Sequence, residues 1–404
     1  MIDSGDTTWI LVSSALVLVM TPALAFFYGG MVRKKNILST LNLSFIMMCL
    51  ISVQWLLYGY SLAFGADVGG IIGGLNFVGF QGIGAEPLEG MTIPHMLFAA
   101  FQMMFAIITP ALITGAFVER VRFKTFLIFS LLWATLVYDP VCHWVWGAGG
   151  ILGADGLGAL DFAGGTVVHI TAGFSALAFA LAIGPRKGFG KTSFEPSNIP
   201  YSVLGAGLLW MGWFGFNGGS ALAADGTAVH ALFTTNTAAA AAGLVWMILS
   251  WIDNKPSVLG IVTGAVVGLV AVTPGAGFVT PLGAMAIGAL AAPISYYAIK
   301  FIKGRNLIDE SLDVFACHGL GGLWGALATG LFAASSVGGV DGLFYGNPGQ
   351  FLAQLWAALL TIAVSFGVTF VLAKVLNAIM GLRVSNSEEL VGLDVSEHAE
   401  RAYA

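Results

Sequence analysis

Long apolar runs broken by short polar loops dominate the chain. Eleven of them approach the ~20 residues that a bilayer-crossing helix needs. They cover 9–28, 41–64, 95–118, 125–144, 164–183, 199–217, 229–251, 258–272, 276–302, 312–332 and 350–380. The eighth is short and the last is long. Runs of this length, without the alternation of a barrel strand, predict an all-α integral membrane protein with eleven transmembrane helices.

The polar residues between the runs are sorted by charge. With the N-terminus outside, all 16 Lys and Arg fall in cytoplasmic loops, in the tail, or at the inner end of the last run. The groups are Arg33, Lys34 and Lys35; Arg120, Arg122 and Lys124; Arg186, Lys187 and Lys191; Lys255; Lys300, Lys303 and Arg305; Arg383 and Arg401; and Lys374. Outer loops hold Asp67, Glu86, Glu89, Asp155, Asp225 and Asp341 but no basic residue. A helix count wrong by one would scatter the basic residues over both faces. The partition therefore predicts a multi-pass plasma-membrane protein with a cytoplasmic C-terminus.

Composition agrees. Hydrophobic residues make up 57% and charged residues 9%, against about a quarter charged in soluble domains. The 55 glycines suit helices that approach closely in lipid. Asp3 and Asp6 precede the first run, and no basic residue does, so that run is expected to be a retained helix. Cys49, Cys142 and Cys317 show no zinc spacing, and no basic patch supports nucleic-acid binding. A nucleophile–base–acid set is also lacking, so enzymatic hydrolysis has no support.

A faint repeat divides the chain. The first run ends Phe27-Tyr28-Gly29-Gly30 and the sixth ends Phe216-Asn217-Gly218-Gly219. Five helices are an odd number, so two such units have opposite topology, the inverted-repeat plan of many transporters. The eleventh helix is an addition. The expected organisation is a transmembrane domain over 1–382 and a polar cytoplasmic tail over 383–404.

Candidate chemistry lies in the fifth and tenth runs, each with a His behind an Asp. A His within the membrane is costly and faces a pathway or a neighbouring helix. Gly165 and Gly173 flank His169, and Gly321, Gly322 and Gly325 stripe the face of His318. Asp161 reads as an N-cap or as part of a cation site, with Asp313 as its counterpart on the tenth run. Phe101, Phe105, Trp146, Trp213, Phe216 and Ser220 gather near the outer ends, as packing or as a cation–π cage for a small ammonium-like cation. No carbonyl filter for K⁺ is visible.

These residues lie in longer motifs. The run Asp161-Phe162-Ala163-Gly164-Gly165-Thr166-Val167-Val168-His169 is followed by Ala172-Gly173 and Gly184-Pro185-Arg186. Others are Phe101-Gln102 with Phe105 through Thr109, Gly115 through Arg120, Gly212 through Asn217, Asp313 through Gly319, and Val391-Gly392-Leu393-Asp394. Together they resemble the ammonium transporter/methylammonium permease/Rhesus family, its ammonium transporter branch more than its Rhesus branch. The resemblance implies a homotrimer with one pore per subunit. It places Phe101, Trp146 and Ser220 at an outer NH4⁺ recruitment site and Phe105 and Phe216 in a phenyl gate. His169, His318 and Trp213 would line an apolar pore, and Asp161 would act through structure and electrostatics. It further implies transport of ammonium or ammonia, and of methylammonium, with the tail as a contact for a PII-type signal protein. No cofactor or metal is implied. Two other classes fit the residues alone: an ammonium sensor signalling through its tail, and a haem-ligating redox protein using the two His.

Overall fold

The apolar runs become helices whose contacts with one another are set by small residues. The structure, a computed structural model, describes residues 1–403. In chain order the helices are α1 (Ser4–Met31), α2 (Lys34–Phe64), α3 (His95–Ala116), α4 (Phe123–Trp146), α5 (Gly165–Ile183) and α6 (Ile199–Gly219). There follow α7 (Gly226–Asp253), the shorter α8 (Val258–Val272), α9 (Pro281–Gly304), α10 (Phe315–Phe332) and α11 (Pro348–Met380). Two short helices, α12 (Asn386–Val391) and α13 (Leu393–His398), form the tail. A two-stranded hairpin, β1 (Asp67–Val68) with β2 (Ile72–Gly73), lies in the loop after α2.

The first helices of the two expected repeats, α1 and α6, pack along each other. A glycine edge on α6 makes this possible. Cβ atoms at Gly205, Gly212, Gly215 and Gly219 would collide with α1 at Phe27, Met20, Leu16 and Ser13 respectively. The fifth helices, α5 and α10, cross still more closely. A Cβ at Gly173 would overlap the backbone of Gly319, and one at Gly322 would lie 2.8 Å from the Cβ of His169. Dispersion across such contacts replaces the hydrophobic drive that lipid cannot supply.

Two departures from the sequence pattern stand out. The run expected over 276–302 starts as a helix only at Pro281, where Thr280 caps it by accepting from Gly283 N at 3.1 Å. Residues 273–279 are a nearly buried turn instead. Their carbonyls find donors from three sides: Phe162 N to Pro274 O at 3.1 Å, Thr234 Oγ1 to Ala276 O at 2.8 Å, and His230 Nε2 to Val279 O at 2.8 Å. Irregular backbone is thus enclosed by protein, the condition for tolerating it at membrane depth. The second departure is a set of π-helical turns at Trp55–Gly59, Ala134–Tyr138, Gly165–Ile170 and Phe315–Leu320. The last two contain His169 and His318.

A buried ionic clamp joins the basic loops at one end of the bundle. Glu119, at φ 72°, accepts from Arg33 Nε at 2.9 Å, Asn36 Nδ2 at 2.9 Å and Arg186 Nη1 at 2.7 Å. Arg186 also forks onto Asp309, with Nη2–Oδ1 at 2.6 Å. Arg120 is fully buried and donates to Gly184 O, Ser311 Oγ and Asp309 O, among others. The tail docks on this clamp. Leu393 N donates to Asn36 Oδ1 at 2.8 Å, Ser39 N to Asp394 Oδ1 at 2.8 Å, and Lys187 N to Glu389 Oε1 at 2.6 Å.

Gly173→Val should destabilise the protein by at least the ~1–3 kcal/mol typical of overpacking, read as a fall in melting temperature in detergent. Burial alone would raise the Glu119 carboxyl, but the charges of Arg186 and Arg33 and its hydrogen bond with Arg33 overcome this and hold it down to about 2. A depressed carboxyl adds stability that is full above its unfolded value near 4.5 and lost as pH falls toward 2. Limited proteolysis of the tail should therefore accelerate across that window, and Glu119→Gln, which cannot titrate, should speed cleavage at neutral pH and remove this pH step.

Candidate functional site

Two wide cavities lie on either side of a small one beside α5 and α10; the small one shares His318 with one of them, and Phe105 packed on Phe216 separates it from the other. The cavity at the end away from the clamp has about 280 Å³ and is lined by Gln102, Phe105, Trp146, Asp161 and Ser220, among others. The one on the clamp side has about 310 Å³, and His318, Asp313 and Lys303 are in its wall. Between them a cavity of about 10 Å³ touches His169, His318, Trp213 and Phe216, with Phe27 and aliphatic residues around the rest. That is room for a single water-sized molecule.

Each functional side chain is fixed by what the rest of it touches. Ser220 donates its hydroxyl proton to Phe216 O at 2.8 Å, which leaves its oxygen lone pairs free to accept. Trp146 donates its indole N–H to Asp161 O at 2.9 Å, so the ring face rather than the N–H is what remains for a ligand. Phe105 packs on Phe216 with centroids 4.3 Å apart and closes the floor of the cavity. Phe101 is 1% exposed and does not line the cavity; it backs Phe105 edge-on at 5.0 Å. Gln102, one residue on, lines it instead.

The two His rings meet directly. Their Nδ1 atoms are 3.3 Å apart, so one donates and the other accepts. Trp213 stacks on His169 at 5.5 Å and is anchored through its N–H to Thr273 Oγ1 at 2.9 Å. Phe216 stacks on the same imidazole at 6.1 Å. His169 Nε2 is buried with no partner. Rings in direct contact do not face each other across a haem plane, and among the described residues no group of three His, Cys, Asp or Glu gathers as for a metal.

Asp161 is a cap first. Its carboxylate accepts four backbone N–H groups at the head of α5: Gly164, Gly165, Thr166 and Val167, at 2.6–3.1 Å. Asp313 is not its counterpart. Asp313 sits at φ 62° and pairs with Lys303 at 2.5 Å. The cap of α10 is Glu310, which accepts from Val314 N at 2.5 Å and Phe315 N at 2.9 Å. Burial, with the Asp313 carboxylate beside it, pushes the Glu310 carboxyl well above the usual range. The signal was in the spacing: Glu310 precedes His318 by eight residues, as Asp161 precedes His169.

This arrangement can be set beside known proteins. The sequence profile of the Ammonium Transporter Family matches residues 8–403. The chain belongs to the ammonium transporter family. It is 51% identical to ammonium transporter Amt1 of Archaeoglobus fulgidus, over 99% of this chain and all of that protein. The ammonium transporter of Bacillus subtilis is 50% identical over 99% of this chain and 98% of its own. The crystal structure of Saccharomyces cerevisiae Mep2 superposes with a TM-score of 0.90 at 37% identity, covering 96% of this chain and 89% of that one. A structure described as a sensor Amt protein superposes at 0.89 with 29% identity, over 98% of both chains. The protein is therefore an ammonium transporter with a multi-span, all-α membrane fold, and it is not an enzyme.

The caps of the transporter differ in how much they hold. Asp161→Ala strands four buried N–H groups, and at ~1 kcal/mol or more for each lost partner it should abolish stable expression. Asp161→Asn keeps an acceptor oxygen and should yield folded protein of lower melting temperature. Glu310→Gln should cost less than Asp161→Asn, because Glu310 caps two N–H groups rather than four.

Proposed function

We propose that the cavity lined by Trp146 and Ser220 recruits NH4⁺, and that neutral NH3 crosses the His169–His318 constriction into the cytoplasm. The observation that carries this reading is the donor–acceptor accounting of the cavity. The Trp146 N–H and the Ser220 O–H are both committed to backbone carbonyls. What remains is a hydroxyl lone pair, the Gln102 Oε1, which is buried without a partner, and aromatic faces, all of which attract a compact N–H donor with positive charge. Asp161 adds field from a carboxylate spent on its cap. Phe101 supports the ring of Phe105 behind the site.

Below Phe105 and Phe216 the surroundings change. Placing an ion in such a medium carries an idealised cost of order 20 kcal/mol. The cheaper species is NH3, and the ~10 Å³ constriction suits one such molecule. Imidazole exchanges protons near neutral pH more readily than any other side chain. The shared Nδ1 hydrogen bond gives the pair one ring with an accepting Nε2 and one with a donating Nε2–H. Concerted transfer along it carries a proton in the same direction as the ammonia. The proposal is thus of paired but separate movement of NH3 and H⁺ along His169 and His318, beside Trp213.

The charge partition supports an orientation with the clamp and the 383–404 tail in the cytoplasm of a plasma-membrane protein. The 1–382 bundle then carries the pathway. The tail, bonded to the heads of α2 and α4 and to the loop after α5, is suited to report to a cytosolic signal protein of the PII type. Assembly as a homotrimer and carriage of methylammonium complete the proposal.

Ammonium added to proteoliposomes should evoke a current that scales with substrate flux. Uptake without current would refute proton co-movement. His318→Leu should abolish the current. Trp146→Leu and Ser220→Ala should raise KM for ammonium several-fold, with the maximal rate less affected.

A further inference from the structure

Asp161 is joined to a residue of α11 that has no assigned role. Gln354 is 1% exposed, and its side-chain amide makes four hydrogen bonds. Its Oε1 accepts from Leu160 N at 2.6 Å and from Gln350 Nε2 at 3.3 Å. Its Nε2 donates to Leu160 O at 2.8 Å and to Ala326 O of α10 at 3.1 Å. An amide has two donors and two acceptor lone pairs, so this one is fully used. It pairs with Leu160 through both N–H and C=O, as a neighbouring peptide strand would. Gln350, one turn earlier on α11, donates to Gly158 O at 3.0 Å.

The segment so held leads straight into the ligand cavity. Leu160 precedes Asp161, whose carbonyl anchors the Trp146 indole and whose carboxylate heads α5. The position of the Trp146 ring face therefore depends on a strand with no regular secondary structure of its own. That strand is pinned from α11 on one side and by its own cap on the other.

We infer that Gln354 is a positioning residue for ammonium recruitment, which sets the Trp146 ring through the Leu160–Asp161 backbone without touching the substrate. This rests on the outer-site reading given under Proposed function. Without the amide pair, the Leu160 peptide has no partner in the position it now holds, and the Trp146 anchor shifts with it. The loss falls on capture of the ion. The His pair lies on the far side of Phe105 and Phe216 and keeps its own contacts.

The test is ammonium uptake by the full-length transporter in proteoliposomes, with KM and maximal rate separated, for Gln354→Met, Gln354→Glu and Trp146→Leu. Gln354→Met should raise KM about five- to tenfold at unchanged maximal rate, the equivalent of roughly one hydrogen bond. Gln354→Glu, which keeps the oxygen facing Leu160 N–H, should restore part of that loss. A raised KM in Trp146→Leu with none in either Gln354 variant would overturn the positioning role. An unchanged KM in Trp146→Leu would overturn the outer-site reading itself. A fall in maximal rate alone would also overturn positioning, because it would place the effect at the constriction. Should Gln354→Met fail to insert, Gln354→Glu decides: a KM equal to that of the unmodified protein overturns the inference.

Discussion

Close contact of backbone with backbone, where α5 crosses α10, is the constraint on which the rest of the molecule hangs. Gly173 and Gly319 leave no space for a side-chain carbon between them. The crossing brings His169 and His318 within hydrogen-bond distance. It also leaves a gap small enough to admit one molecule. Glycine carries an entropic cost in helices, and the chain bears that cost where approach matters most.

Around this crossing the two halves of the chain act alike. Each fifth helix begins at an acid that caps it and carries its His in a π-helical turn eight residues on. The caps point from opposite ends of the bundle, because the halves are inverted. At one end the capped strand belongs to the cavity with Trp146 and Ser220. At the other, Glu310 adjoins the clamp of Glu119, Arg186 and Asp309. α11 stands outside this symmetry and braces it. Gln354 holds one end, Thr369 and Ser175 share a hydrogen bond at mid-height, and Arg122 donates to Met380 O at the other end.

Much of this could be read from the chain because lipid punishes polar groups so severely. Run lengths gave eleven helices, including the short α8 and long α11, and the glycine faces of His169 and His318 marked a close crossing. Other features depend on backbone detail that residue patterns do not carry. Residues 276–280 are as apolar as a helix, yet they form a turn, because donors from α7 and from Ala334 N satisfy their carbonyls. Asp313 matched the Asp-before-His pattern, but its φ of 62° turns it away to Lys303. The longer Glu310 reaches back to the helix head. Phe101 and Gln102 are adjacent, and only the rotation of α3 decides which of them faces the cavity. Gln354 is one polar residue in an apolar run, and two of its three partner residues, Leu160 and Ala326, come from distant parts of the chain.

The narrowness of the constriction has an electrical reading. On the proposed pathway, cavities of about 280 and 310 Å³ lie on either side of one of about 10 Å³. Along such a path most of the resistance, and so most of the potential drop, falls across the closed stretch from the Phe105–Phe216 pair to the His pair. Widening either vestibule leaves the total almost unchanged. The field that a cell maintains across its membrane is then concentrated on two hydrogen-bonded imidazoles and the rings of Trp213 and Phe216.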